Sequence, residues 1–417
     1  MTIAELYESR KDDPRWNTSY PLNPKDWAEY RVDGPLPFDK DQRLSFYIHI
    51  PFCKQQCSFC EYTRMLCPDD GLQETYLRVV ANDIERFKKQ YKGITLLGCD
   101  IGGGTPTSLN EKNFSLLMEV YKDAIAGLEL SDEFEPSIEG TFNTLSEKKV
   151  TDMAKAGFNR LSLGVQSSSH SIMESHRRLV SDEKQMKEWL SMASQAGIEK
   201  VNLDFMYGLQ GQNEVSIQRD LELIGQQRPQ QVTLYELRTN MLGIQTAYSK
   251  EELFVQYTQY YEGLISMGYH GRFGQNTFSM DADDLGVSSY LRERMLNGAS
   301  YKGFGMSAQS MSSAGVSYNL GKLSSNPRLN LNTDSYREEY TYLLPANELA
   351  AKYVAVSAYH GSFSTKKLLE IGIDEETLNN KLDYCFSQGL LTKGNDDRVN
   401  VTRKGFEHYG AVFSLFY

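Results

Sequence analysis

No stretch of this 417-residue chain approaches the ~18 uninterrupted apolar residues of a membrane span. The opening MTIAELYESRKDD is charged where a signal peptide would be apolar, so a cytoplasmic protein without a membrane partner is expected. Positive charge is also short. Forty-four Lys and Arg stand against 55 Asp and Glu, a formal net charge of −11, with both signs interspersed. A sequence-independent grip on nucleic-acid phosphates would need a local basic patch, so a small-molecule substrate is expected and nucleic acid is not. Cysteine is scarce and uneven: of six, Cys53, Cys57, Cys60 and Cys67 fall within fifteen residues, while Cys99 and Cys385 stand alone. That clustering argues against a disulfide framework and for a metal site. No internal repeat or low-complexity segment is present.

What is present is an alternation of apolar runs and helical periodicity over the first 240 residues. The runs are Leu44 to Ile50, Leu96 to Gly103, Pro136 to Gly140, Arg160 to Ser167, Lys200 to Gly208 and Gln231 to Leu237. Each gap leaves room for a crossover helix, which predicts six parallel strands of an α/β protein with right-handed connections. An open (βα)6 partial barrel fits better than a doubly wound sheet, because functional-looking residues close nearly every strand: Cys53, Gly102 to Thr105, Glu139, Gln166, Asp204 and Tyr235. Residues 1–41 read as an extension wrapping the barrel, 42–240 as the barrel, 241–345 as an accessory segment completing the active site, and 346–417 as a small winged-helix-like domain.

In HIPFCKQQCSFCEY, Cys53, Cys57 and Cys60 are spaced C-x3-C-x2-C on the loop after the first strand. Three thiolates so placed can hold three corners of one 4Fe–4S cubane and leave the fourth iron open. The amino and carboxylate groups of S-adenosylmethionine (SAM) suit that iron, and electron transfer into the sulfonium then yields a 5′-deoxyadenosyl radical. Zinc normally wants four ligands, and neither Cys67 nor His49 offers an ordinary spacing. Gly102, Gly103 and Gly104, with Thr105, allow close backbone approach to a ligand, by N–H donation or by carbonyls facing an ammonium. Inward polar residues on barrel strands need partners. Chemistry pairs Glu139 with an ammonium, Arg178 with a carboxylate, and Gln166 or Asp204 with ribose hydroxyls. Phe59 would lie against the adenine.

YIHIPFC, the cysteine spacing, GGGTPT, Glu139, NRLSLGVQS, LDFMYGL and GFGMSAQS together resemble oxygen-independent coproporphyrinogen III oxidase and its relatives. The resemblance runs from about Trp16 and is most specific from Tyr47 to Gly211. It implies a radical SAM partial barrel, a flavodoxin- or ferredoxin-type electron donor, and two SAM molecules. The first would contact Tyr47, Phe59, Gly103, Thr105, Glu139, Gln166, Arg178 and Asp204. The second would touch Gly104, the neighbourhood of Tyr235, and the turn of Gly305, Met306 and Ala308. RWNTSYP resembles a segment that approaches the active site. Two departures matter. The oxidase usually has a cysteine two residues after the third, where this chain has Glu61 then Tyr62. The haem-chaperone relatives carry H-N-x-x-Y-W where this chain has Leu291, Arg292, Met295 and Leu296. What remains resembles class C radical SAM methyltransferases and cyclopropane-forming enzymes, which use the second SAM as a one-carbon donor to an sp2 carbon of a porphyrin or natural product. Tyr62, Glu61, Tyr235, Glu236 and Arg238 are its candidate catalytic residues. Porphyrinogen decarboxylation and haem carriage stand as the alternatives.

Overall fold

The computed structural model describes residues 1–13, 20–22, 24–242, 247–321, 331 and 333–417. Each of the six apolar runs forms a strand, and all six are parallel neighbours. They are β1 (Arg43–Ile50), β2 (Thr95–Gly103), β3 (Pro136–Gly140), β4 (Arg160–Gln166), β5 (Lys200–Tyr207) and β6 (Gln231–Glu236). Phe46, Ile101, Leu161, Leu203 and Val232 are buried, the continuous apolar content expected of strands covered by crossover helices. The helix Asp70–Gln90 shows why such helices form here. Asp69 Oδ1 accepts the Leu72 N–H at 3.0 Å, and Leu77, Val80, Ile84 and Phe87 recur at three- and four-residue spacing on its buried face.

The sheet continues past the six runs. β7 (Thr277–Ser279) joins antiparallel beside β6, and β8 (Ser300–Phe304) lies parallel to β1, pairing Gly303 with Tyr47 and Phe304 with Ile48. The sequence expectation of six parallel strands is therefore one short. SYKGF is brief and broken by glycine, so periodicity does not mark it. In the fold that glycine is required, since a Cβ at Gly303 would stand 2.3 Å from the Gln309 carbonyl oxygen. Antiparallel strands Gln309–Ser312, Gly315–Asn319 and Glu338–Leu343, then Arg31–Val32, extend the same 13-stranded sheet. The segment after residue 240 is thus woven into the barrel sheet, and the N-terminal extension is fastened to its far edge.

After the helix Ala346–Ser357 come the strand Ser362–Ser364, helices Thr365–Ile371 and Glu375–Ser387, and strands Leu391–Lys393 and Arg398–Val401, in winged-helix order. The last strand lies in the middle of the three. Arg10, at the end of the helix Ile3–Arg10, donates to Ser414 O at 2.6 Å and ties the N-terminus to this domain. Among the described residues no helix is long and apolar enough to cross a membrane.

Candidate active site

β1 ends at Ile50, and Pro51 turns the chain into the cysteine loop. The loop is pinned at its base by pairing of Phe52–Cys53 with Met65–Leu66. Its far side is held by Arg64, which donates to Cys57 O (2.7 Å) and Cys60 O (2.8 Å). His176 holds it too: its carbonyl accepts the Ser58 N–H at 3.1 Å, and its Nδ1 lies 2.8 Å from the Ser58 hydroxyl. Sequence reading missed both, because an arginine beyond a cysteine and a histidine over a hundred residues away carry no joint signal. Thr105 Oγ1 donates to Cys53 Sγ and Arg178 to Cys57 Sγ, each at 3.6 Å. Cys53 and Cys57 are buried and Cys60 is half-buried. Burial pushes the Cys53 thiol up to about 11 and raises Cys60, so iron is what would hold these sulfurs as thiolates. Among the described residues no three His, Cys, Asp or Glu side chains converge on one ion-sized point. A cubane binds each thiolate through a different iron, so the three sulfurs need not meet at one atom.

The N–H groups of the glycine turn are bonded within the protein. Gly103 N–H donates to Glu139 Oε2 (3.1 Å), Gly104 N–H to Ile50 O (2.8 Å) and Thr105 N–H to Phe52 O (2.8 Å). Added Cβ atoms would meet the Glu139 carboxylate at 2.5 Å from Gly102, the His49 ring at 2.3 Å from Gly103, and Ile50 O at 2.8 Å from Gly104. Three N–H groups and the missing side chains are spent on the protein, which leaves the second of the two expected modes, carbonyl oxygens facing an ammonium. A ligand ammonium could meet this turn through carbonyl oxygens.

Glu139 and Tyr62 are both solvent-accessible, Tyr62 at 57 %, yet both are enclosed by other residues of the barrel. Both stand exposed beside the cysteine loop with other side chains around them. Burial, only partly opposed by the Gly103 N–H, raises the Glu139 carboxyl to about 7. Burial, then Tyr359, Tyr235, Glu139 and Tyr47, hold the Tyr62 phenol above its usual range. Tyr235 faces Asp204 and Glu139. Asp204 already accepts from Asn202 (2.8 Å) and Ser162 (3.2 Å), so its carboxylate is held by protein. Gln166 sits at φ 74°, a left-handed conformation costing on the order of 1–3 kcal/mol for a residue with a Cβ, and its buried Oε1 has no partner. A strained residue aiming an unsatisfied acceptor inward fits a polar ligand. Arg178 also donates to Gly164 O and lies 5.9 Å from the Phe59 ring centroid. Phe59 leans on the His176 ring at 5.7 Å.

Across β1 from the first glycine turn, the second follows β8. Met306 is fully buried, its N–H donating to Tyr76 OH (3.1 Å), and Ala308 is buried. Gly305 is closed as well, since a Cβ there would stand 2.4 Å from Tyr76 OH. The residue with an unsatisfied group is Ser307, at φ 60° with a buried, unpartnered hydroxyl. It had no sequence signal beyond its neighbours. Of the expected catalytic residues, Glu61 and Arg238 form an ion pair joining the cysteine loop to the chain after β6. Glu236 accepts from Tyr207 OH at 3.3 Å and lies 4.0 Å from Lys250 Nζ. Tyr62 is exposed, Tyr235 is half-buried, and the two phenols are neighbours. Most of RWNTSYP lies outside the described residues.

Residues 47–224 match the family model described as the Radical SAM superfamily. Haem chaperone HemW of Escherichia coli is 29% identical over 194 residues, 46% of this chain and 50% of that protein. Oxygen-independent coproporphyrinogen III oxidase of E. coli is 28% identical over 239 residues, 56% of this chain and 50% of that protein. The chain spans about half the length of these curated relatives. The solved structure of E. coli coproporphyrinogen III oxidase (HemN) covers 90% of both chains with a TM-score of 0.72 at 21% identity, a shared fold. The superfamily implies a 4Fe–4S cluster and SAM, which the three loop cysteines and the unpartnered Gln166 oxygen fit. Residues 47–224 are therefore similar to the Radical SAM superfamily, in a chain with HemN-like and HemW-like relatives.

Proposed function

We propose that this protein cleaves SAM reductively and directs the radical at a carboxylate-bearing macrocycle of the tetrapyrrole class held inside the barrel. The observation that carries this reading is the convergence, at one mouth, of the Cys53–Cys60 loop with the enclosed Glu139 carboxylate and the unpartnered Gln166 oxygen. When bound, the cluster and SAM supply cleavage of the sulfonium C–S bond and a 5′-deoxyadenosyl radical. Cys53, Cys57 and Cys60 would hold three irons. Glu139, once ionised, would take the SAM ammonium, Arg178 its carboxylate, and Gln166 a ribose hydroxyl. Phe59 would back the adenine. Tyr47, Tyr62 and Tyr235 offer phenol-edged surfaces suited to individual pyrrole rings. Residues 42–240 carry the cluster, 241–345 complete the interior, and 346–417 brace it. The names of the relatives, a coproporphyrinogen oxidase and a haem chaperone, support the tetrapyrrole class.

One-carbon transfer from a second SAM is the second reading, favoured by the strained, unpartnered Ser307 on the far side of β1 and by Glu61 and Tyr62 where the oxidase has its extra cysteine. Haem carriage finds no imidazole in the helix Ser289–Met295. The deciding experiment gives reduced, reconstituted protein coproporphyrinogen III and SAM with a deuterated methyl group. Carbon dioxide and vinyl products beside 5′-deoxyadenosine support oxidative decarboxylation. S-adenosylhomocysteine and deuterium in the product support one-carbon transfer. Stoichiometric haemin binding without any SAM cleavage would defeat both in favour of a carrier.

A further inference from the structure

The helix Ser289–Met295 lies against the inner face of the parallel sheet. A Cβ at Gly98 of β2 would stand 2.3 Å from Tyr290 N, and the Tyr290 ring stacks on Tyr47 at 5.6 Å and 23°. Its start is tied down by Ser288 Oγ, which donates to Asp100 (2.7 Å), and Ser289 Oγ, which donates to Glu135 O (2.9 Å). Its end is held by the C-terminal domain: Ser357 Oγ donates to Met295 O (2.5 Å), while Tyr353 OH and Arg398 donate to Leu296 O (3.0 and 2.9 Å). Anchors at both ends fix what the helix presents in between.

What it presents is Arg294. One guanidinium nitrogen lies 3.3 Å from Tyr290 OH, and the group sits 4.8 Å from the Tyr301 ring centroid with Tyr62 nearby. Among the described residues no carboxylate pairs with it, and its buried Nε has no hydrogen-bond partner. Other arginines at the site have partners: Arg238 has Glu61, Arg160 has Gln231 and Ser137, Arg64 has loop carbonyls, and Arg178 has Gly164 O and Cys57 Sγ and is assigned above to the first SAM. Enclosing a guanidinium without an anion is costly, and aromatic faces and phenol oxygens offset only part of that cost. A planar five-donor cation in this setting is matched by a carboxylate.

We infer that Arg294 is the carboxylate receptor of the barrel interior, gripping a carboxylate of the molecule that lies beneath the cluster-bound SAM. The inference rests on the radical SAM reading and names the recognition chemistry within it. The carboxylate comes either from the acceptor or from a second SAM.

The test compares reconstituted wild-type protein with Arg294→Gln and Arg294→Lys. Equilibrium dialysis counts SAM equivalents. Fluorescence quenching measures coproporphyrin III, a tetra-acid, against its tetramethyl ester. Cluster absorbance, thermal midpoint and 5′-deoxyadenosine formation report integrity. Loss of one charge-assisted contact predicts a drop of roughly tenfold or more in Arg294→Gln, with partial recovery in Arg294→Lys and SAM cleavage retained. Weakened tetra-acid binding with an unaffected ester assigns the carboxylate to the acceptor. Loss of a second SAM equivalent assigns it to SAM. Unchanged affinity for both, equal loss for acid and ester, or a wild-type protein that binds neither, overturns the inference. If Arg294→Gln does not fold, the same acid-to-ester ratio in Arg294→Lys decides it. Absence of 5′-deoxyadenosine from the wild type would sink the radical SAM reading, and the binding ratios would still be read.

Discussion

The turns Gly102–Thr105 and Gly305–Ala308 leave the ends of β2 and β8, the two strands that flank β1, and they are built for opposite ends. In the first, the N–H groups of Gly103, Gly104 and Thr105 are bonded to the protein, and the glycines make room for Glu139, His49 and the Ile50–Phe52 backbone. In the second, Gly305 makes room for Tyr76, while Ser307 keeps a strained backbone and an unpaired hydroxyl. Both glycines serve packing. The difference that points to a ligand is an unsatisfied polar atom, and glycine content does not reveal it.

The largest expected effect breaks the packing half of that comparison. Gly103→Ala puts a Cβ 2.3 Å from the His49 ring at φ 111°, and Gly305→Ala puts one 2.7 Å from His49 O at φ 91°. Each should cost about 2–4 kcal/mol, combining overpacking with left-handed strain, visible in chemical denaturation. A loss below about 1 kcal/mol at Gly103 would mean that the first turn has room for a ligand after all.

Ser307→Ala sharpens the other half. Removing an unpaired buried hydroxyl should leave the thermal midpoint unchanged or slightly raised. Ligand affinity, measured by SAM dialysis, should fall by roughly two- to tenfold, the worth of one hydrogen bond. A destabilised variant with unchanged binding would make Ser307 a packing residue.

A pH series probes the carboxylate behind the first turn. Burial raises Glu139 to about 7 from an ordinary 4.5, so the folded protein holds a proton that the unfolded chain has released between those values. Stability should fall as pH climbs through that window and level off above it. Glu139→Gln should flatten the slope in part, since Asp100, also raised to about 7 by burial, keeps the remainder. SAM binding should tighten as Glu139 ionises. An unchanged slope in the variant would remove Glu139 from the interior.

The smallest effect is a control far from the site. Asp69→Ala removes the cap of the helix Asp70–Gln90 and should cost about 1 kcal/mol without altering SAM binding.

The barrel was legible because its strands are continuous apolar runs separated by amphipathic helices, and the cysteine loop because three thiols share one short loop. β8 was not, since SYKGF is short and its pairing with β1 reaches across more than 250 residues. Arg294 was hidden for the same reason. LRERM reads as a charged surface helix, and only contacts with Gly98, Asp100, Glu135 and Tyr353 turn it inward. Which of its two modes the glycine turn could offer a ligand was not legible, because sequence does not say which side of a backbone is filled.

The central claim is that Cys53, Cys57 and Cys60 hold a cluster that cleaves SAM. The direct measurement is 5′-deoxyadenosine formed from SAM by anaerobically reconstituted, dithionite-reduced protein, wild type against Cys57→Ala. The account predicts product in the wild type and background in the variant, with the cluster's visible absorbance lost in parallel. Equal product from both proteins, or none from a wild type carrying a full cluster, would contradict it.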